Sequence, residues 1–461
     1  MKNTLKKNRT NAPRLIFLLF LGTILAGAFL LTLPFATQTP GCMNVVDALF
    51  TAASATCVTG LIVVDTGSYF TPFGKTVILV LIQLGGLGIM TMSTFFLIML
   101  GRRLTMKDRI TMKDTLGEKE IKGVKGLILM IVGMTILLEA IGAALLTLRF
   151  FRVYHYPINK AIIHGIFHSV SAFCNAGFSL YHDSLMRFGD DWAITGIMGG
   201  LVLLGGIGFV VWYNLTHWYF WRRDRTRRGR LRLQTKIALA MSGILLVIMF
   251  LFLLAVEWNN TLEGLTVGEK ICRSVFQAIT PRTAGFNTMP IDRLNPATLW
   301  ITIVMMFIGA SPGSTGGGIK TCTFAVILAT VYRMVKGKRQ VVIRKKSIAE
   351  HISTKAISIA VISLAVIFIA CTLLLLVEST TSRQYCGNSY MGSLIFEAVS
   401  AFGTVGLSVG VTPHLSYLGK IVIILTMYVG RIGPLTLALL IGRKVQPPAV
   451  IRYPEESVMV G

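Results

Sequence analysis

Eight apolar runs, near 15–35, 76–100, 126–150, 193–220, 235–256, 297–332, 355–377 and 417–441, decide what this chain can become. Each is long enough to cross about 30 Å of hydrocarbon as a helix. A backbone in lipid must satisfy its own polar groups, so lipid-facing runs of this length are helical. Composition agrees, because only 14% of the 461 residues are charged, against about a quarter in a soluble domain. The same figures exclude a disordered chain, and the dispersed glycines exclude a collagen-like one. Lys2, Lys6, Lys7, Arg9 and Arg14 precede the first run in the manner of a signal peptide. Leu15–Leu33 is longer than a cleaved apolar region, so it is expected to be the first span.

The net charge of +25 would suggest nucleic acid in a soluble protein. Its placement says otherwise. Five stretches flanking the apolar runs hold 32 of the 45 basic residues: the N-terminus to Arg14, Arg102–Lys125, Arg222–Lys236, Arg333–Lys355 and the chain from Arg443. That is the positive-inside pattern, and it places these stretches and both termini in the cytoplasm, with an even number of spans. No aromatic platform accompanies Arg222–Arg232, which argues against nucleic acid. Seven cysteines occur without zinc spacing. The charge rule puts Cys42 and Cys386 outside, where a disulfide between them is conceivable.

Between members of successive span pairs lie shorter apolar stretches at 45–56, 160–173, 269–280 and 390–401, of re-entrant length. Each leads into a small-residue turn: TCVTGL at 56–61, FCNAGF at 173–178, PRTAGF at 281–286 and FGTVGL at 402–407. Their glycines, Gly60, Gly177, Gly285 and Gly406, are 117, 108 and 121 residues apart, a period near 115 that marks an internal repeat. A second landmark, in QLGGLGIM, LLGGIGFV, FIGASPGS and YVGRIGPL, places Gly85, Gly205, Gly309 and Gly430 after those glycines by 25, 28, 24 and 24 residues. The expected fold is therefore all-α integral membrane, with four span, re-entrant helix, span repeats at 1–125, 126–233, 234–350 and 351–461. Two crossings per copy keep all four parallel, so they can surround one pore. Inverted repeats, the common transporter plan, need an odd number.

An extended chain halfway through the membrane must line protein or water. Glycine permits dihedrals that direct successive carbonyls inward, and rings of carbonyl oxygen can replace the hydration shell of a monovalent cation. The absence of a carboxylate ring argues against calcium or magnesium.

In these four turns, in GASPGSTGGGIKT at 309–321 and in the arginine of YVGRIGPL, the sequence resembles the Trk/Ktr/HKT superfamily of potassium transporters, most closely the bacterial Ktr membrane subunit. The resemblance covers essentially 15–445; the extra N-terminal span pair usual in Trk-type members is missing. It implies a potassium-binding filter of Val58, Thr59 and Gly60; Asn175, Ala176 and Gly177; Thr283, Ala284 and Gly285; and Thr404, Val405 and Gly406. Plant relatives that prefer sodium have serine at the first of these glycines, so Gly60 implies potassium. The first turn departs most from the pattern, and no TVGYG-like signature occurs. The resemblance also implies a homodimer on a cytosolic nucleotide-binding ring subunit, with sodium stimulation. The chain itself is expected to need no cofactor.

Gly309, Gly313, Gly316, Gly317 and Gly318, with Pro312 among them, cannot lie in a continuous helix cheaply. The sixth span must break there. Its loop, including Ser311, Ser314 and Thr315, is a natural obstruction, and the family resemblance makes it the gate. Lys320 at its inner end is expected to snorkel to the cytoplasm. Arg431, mid-span, costs about 2.5–3.5 kcal/mol on insertion scales, which implies a polar role: either facing the cavity and bonding the loop's carbonyls, or pairing with Glu139. Glu139 could instead cap a re-entrant helix or its turn. Arg282 is expected to brace the third turn from behind, and Glu397, His168 and Gln277 to brace likewise. His164 and His168 have a metal-capable spacing but no third ligand, which favours a structural reading.

The GxSxG match at Gly309–Gly313 lacks the strand that a nucleophile elbow needs, and the loop has Ile319 where a phosphate loop needs lysine. No enzyme is expected. The reading is potassium uptake across the cell membrane driven by the membrane potential, with a sodium-coupled alternating-access symporter as the alternative. The basic loops at Arg102–Lys125, Arg222–Lys236 and Arg333–Lys346 are candidate surfaces for the ring subunit or for membrane lipid.

Overall fold

The computed structural model describes residues 12–38, 41–88, 124–221, 231–338, 340–381 and 388–433. Most of the basic loops at Arg102–Lys125 and Arg222–Lys236, Cys386 with its conceivable disulfide, and the chain from 434 onward lie outside the described residues. Cys42 is exposed with a free thiol.

Four helices lie where the first span of each copy is expected: α1 (Ala12–Thr32), and later α4 (Val124–Arg152), α8 (Leu233–Glu257) and α12 (Glu350–Thr381). Four shorter ones follow them: α2 (Val45–Cys57), α5 (Ile158–Phe173), α9 (Val267–Ile279) and α13 (Asn388–Gly403). After these come α3 (Pro72–Leu87), α6 (Trp192–Ile207) with α7 (Phe209–Trp221), α10 (Pro296–Phe307) with α11 (Thr321–Val335), and α14 (Tyr417–Ile432). A two-stranded antiparallel hairpin, β1 (Val341–Ile343) and β2 (Lys346–Ile348), precedes α12. It departs from the all-α expectation, because Arg344 and Lys345 adopt the left-handed conformation that closes a two-residue turn.

Among the described residues three helices, within α4, α8 and α12, are individually long and apolar enough to cross a membrane, and the bent pair α6–α7 passes the same test together. The expected eighth run, like the second, is only partly described. The outer faces are apolar: Phe29 is 67% exposed, Phe368 73% and Val335 78%. That surface suits hydrocarbon rather than water. Between helices in lipid there is no hydrophobic driving force, so close packing and polar contacts must hold them together. Accordingly the buried interior carries hydroxyls and acids, among them Ser54, Ser171, Glu257, Glu378 and Glu397.

Polar ends fix the helices. Thr266 and Glu269 form a capping box on α9. Glu257, at the end of α8, accepts from the Asn295 backbone N–H at 2.9 Å and the Thr298 hydroxyl at 2.5 Å, capping α10. Glu378, near the end of α12, does the same for α14 through the Ser416 N–H at 3.0 Å and its hydroxyl at 2.7 Å.

The helix ends differ from expectation. The sequence pointed to one broken span, but helices end at matching positions in every copy: α3 at Gly88, α6 at Gly208 and α14 at Gly433, with φ of 80°, 97° and 93°, and α10 at Ile308. At Gly208 the chain turns by 91° into α7. Only glycine adopts such dihedrals cheaply, and it stands three residues after Gly85, Gly205 and Gly430.

Candidate functional site

Each of the four short helices runs into a turn with one backbone signature. Val58, Asn175, Thr283 and Thr404 have φ of 56°, 60°, 74° and 49°, and Gly60, Gly177, Gly285 and Gly406, two residues later, have φ of 90°, 70°, 79° and 90°. Left-handed residues alternating with one that is not turn successive peptide planes. For the β-branched Val58, Thr283 and Thr404 this conformation is strained, so the surroundings must hold it.

The glycines meet one another in chain order. A Cβ on Gly60 would lie 2.5 Å from Ala176 O, on Gly177 3.1 Å from Ala284 O, on Gly285 2.5 Å from Val405 O, and on Gly406 2.1 Å from Thr59 O. The four turns therefore form a closed ring in which Thr59, Ala176, Ala284 and Val405 each present a carbonyl toward the neighbouring glycine. The Asn175 amide and the Thr283 hydroxyl, 3.3 Å apart, link two adjacent turns. Eleven of the twelve residues expected in the filter are buried, and Gly177 is half-buried.

Hydroxyls that sequence reasoning missed pin the turns to their helices. Ser54 and Ser171 donate to the carbonyls of Leu61 and Phe178 at 2.8 and 2.7 Å, and Thr280 donates to Phe286 O. The backbone N–H groups of Gly60 and Gly406 donate to Ser54 and Ser400, both at 3.1 Å. The signal was available as Ser-Ala at 54–55, 171–172 and 400–401, six residues before the glycine.

Beyond the turns, Glu397 accepts from the Ser408 hydroxyl and, at 2.9 Å, from Thr412. His168 Nε2 lies 3.2 Å from Ser179 Oγ, while its Nδ1 meets His164 O at 2.8 Å. Gln277 accepts from the Thr288 N–H at 3.3 Å. These three side chains tie the short helices to the segments after the turns. His164 bonds the Tyr181 hydroxyl, so each histidine has a protein partner. Arg282 is buried, its Nε has no partner among the described residues, and it lines a small cavity with Val202, Leu203, Gly206, Ile207 and Ile279.

The second landmark lets backbones touch. A Cβ on Gly85, Gly205 or Gly430 would lie 2.0, 1.9 or 2.0 Å from the carbonyls of Thr56, Phe173 or Phe402, at the ends of the short helices. In the third copy Gly309 packs instead on Gly317 O, because here the chain doubles back. The loop from Ile308 to Lys320 is held by Ser311 N–H to Gly206 O at 3.1 Å, Phe209 N–H to Gly313 O at 2.8 Å and Ile319 N–H to Phe307 O at 3.2 Å. Gly316 and Gly317 press against the hydroxyls of Thr283 and Thr404, where any Cβ would clash. The loop is thus directly against the ring.

Two cations grip it. Arg431 donates to Thr315 O and to Gly85 O. It does not pair with Glu139, which accepts from Gln83 Nε2 at 3.2 Å instead; one carbonyl of the loop and one of α3 satisfy the guanidinium. Lys320 does not snorkel away either. Its ammonium donates to Gly316 O at 2.6 Å and Gly317 O at 3.4 Å, since glycine carbonyls outside a helix offer acceptors within reach.

A family model described as TrkH, cation transport protein, matches residues 21–451. The chain belongs to the TrkH family. It is 40% identical over 456 residues to the Ktr system potassium uptake protein B of Bacillus subtilis, covering 98% of this chain and 97% of that protein. To the protein of the same name from Vibrio alginolyticus it is 40% identical over 457 residues, covering 99% and 96%. To the potassium/sodium uptake protein NtpJ of Enterococcus hirae it is 35% identical over 463 residues, covering 100% and 99%. The crystal structure of the potassium transporter TrkH from Vibrio parahaemolyticus is similar with a TM-score of 0.70, covering 96% of this chain and 87% of that one. At 18% identity this likeness concerns the fold. The resemblance to the Ktr group extends over nearly the whole TrkH-family chain, and these relatives are named as transport proteins rather than enzymes.

Proposed function

We propose that this chain is the membrane subunit of a potassium uptake system. Four parallel repeats, at 1–125, 126–233, 234–350 and 351–461, surround one pore of the cell membrane, and both termini are cytoplasmic. The observation that carries the reading is the closed ring of Gly60, Gly177, Gly285 and Gly406 with one backbone signature in all four turns. A dehydrating cation needs several oxygens at once, and neutral carbonyls from four turns supply them for a monovalent ion. The names of the relatives, potassium uptake proteins and a potassium/sodium uptake protein, support potassium as the substrate; sodium is proposed as a stimulating ion.

In this account potassium sheds water against the carbonyls of Val58, Thr59, Asn175, Ala176, Thr283, Ala284, Thr404 and Val405. The loop of Gly309, Ser311, Gly313, Ser314, Thr315, Gly316, Gly317 and Gly318 closes the path beneath, held shut by Arg431 and Lys320. Opening requires those cations to release the carbonyls. The membrane potential, about 2.3 kcal/mol per charge per 100 mV, drives entry. A homodimer seated on a cytosolic nucleotide-binding ring subunit would supply the signal that moves the loop, its name-bearing system being implied by the Ktr relatives.

The test is growth at low potassium of bacteria lacking their own uptake systems, expressing this chain with a matching ring subunit. Rescue by the parent supports the reading. No rescue, with the chain in the membrane and the ring subunit bound, overturns it.

A further inference from the structure

Among the described residues, the second turn has a support that the other three lack. Glu139 lies within α4, 8% exposed, where an acid is costly and seldom idle. Its carboxylate accepts from Gln83 Nε2 of α3 at 3.2 Å. Cys174 Sγ lies 3.7 Å from Glu139 Oε1 and 3.7 Å from Gln83 Oε1. Cys174 is the residue at which α5 ends and the second turn begins, and the next residue is the left-handed Asn175. A Cβ on Gly86 of α3 would lie 2.5 Å from Cys174 Sγ, so the thiol is wedged between α3 and the carboxylate. The residues in the same place of the other turns are Cys57, Arg282 and Gly403, and no carboxylate is hydrogen-bonded to them among the described residues. The second turn also carries the Asn175 amide that reaches Thr283 in the third.

We propose that Glu139, with Gln83, is a positioning residue that sets cation selectivity by fixing Cys174 and hence the second filter turn. This rests on the potassium-filter reading above. A selective ring must resist collapsing onto a smaller ion, and its weakest turn limits that resistance. The node joins α3, α4 and the start of the turn. Loss of the carboxylate frees Cys174 to move and lets the Asn175 and Ala176 carbonyls follow a smaller ion inward. A bond that merely tied α4 to α3 would affect stability and leave selectivity alone.

The experiment measures rubidium against sodium uptake, with the KM for each, in cells expressing the full chain and its ring subunit. Variants are Glu139→Ala, Glu139→Gln, Gln83→Leu and, as control, Ser169→Ala, whose hydroxyl bonds the Glu139 backbone carbonyl at 2.7 Å without joining the node. Loss of an outer partner of an ion's ligands typically costs about 10–100-fold. The expected result is a fall of about tenfold in the rubidium-to-sodium ratio for Glu139→Ala, with a raised rubidium KM. Gln83→Leu should shift the ratio the same way, while Glu139→Gln and Ser169→Ala retain the parent ratio. An unchanged ratio in Glu139→Ala and Gln83→Leu overturns the proposal, as does a Glu139→Gln as unselective as Glu139→Ala. If Glu139→Ala does not reach the membrane, Gln83→Leu and Glu139→Gln decide alone. A parent without cation uptake would overturn the underlying potassium reading instead.

Discussion

At Gly406 a φ of 90° coincides with space for no Cβ, which would lie 2.1 Å from Thr59 O. The first constraint is local and the second is a contact with the first turn, and both leave the same mark in the sequence, a glycine recurring at a spacing near 115 residues. The left-handed Val58, Thr283 and Thr404 were not, since β-branched residues shun that conformation and hold it here through hydroxyl braces and neighbouring turns. Lys320 was misread for a related reason: a long cation is expected to reach water, but a glycine loop leaves carbonyls closer than the cytoplasm. If Lys320 and Arg431 hold that loop shut, Lys320→Met removes the bonds to Gly316 and Gly317. Uptake velocity should then rise several-fold at unchanged expression, read as initial rubidium influx. A lower velocity would show that the lysine aids conduction instead.

At the scale of elements, apolar run length located the short helices to within a few residues: 45–56 became Val45–Cys57 and 269–280 became Val267–Ile279. It failed at the breaks. Proline and clustered glycine announced the one between α10 and α11, whereas a single glycine at 208 carries the bend between α6 and α7, and like Gly88 and Gly433, where α3 and α14 end, it looks like ordinary small-residue packing. Helix ends outside the apolar runs can be tested through Asp191, which caps α6 through the Ala193 and Ile194 N–H groups at 2.9 and 3.2 Å and accepts from Arg149 at 2.9 Å and Tyr154 at 3.0 Å. Burial alone would raise its pKa, but the bonds from Arg149, Ile194, Ala193 and Tyr154 together hold it below the ordinary carboxylate value. Its contribution is therefore present above the unfolded value of about 3.9 and is lost as pH falls through the folded one. Asp191→Ala should cost about 1–2 kcal/mol at neutral pH, and the gap from the parent should narrow below about pH 4 in thermal unfolding. A gap independent of pH would contradict the role.

Across the whole molecule, the ring closes through contacts that no local pattern announces. Lys420 of α14 meets Asp47 of α2 at 2.7 Å and Asn44 meets the Tyr417 hydroxyl at 3.2 Å, each across 373 residues. Arg273 of α9 grips Asp190 at 2.6 and 2.7 Å. The glycine spacing suggested four like turns, but not which side chains would join the first helices to the last. Asp47→Lys should destabilise the purified protein, and adding Lys420→Asp should recover part of the loss, a coupling of about 0.5–3 kcal/mol in a double-mutant cycle. Strict additivity would mean that the pair does not help to close the ring. The central claim, that four glycine turns make one potassium-selective pore, is tested most directly by potential-driven rubidium and sodium flux into proteoliposomes, with the parent beside Gly406→Ser. Preference for rubidium in the parent and its collapse in the variant is the predicted result; the same preference in both would contradict it.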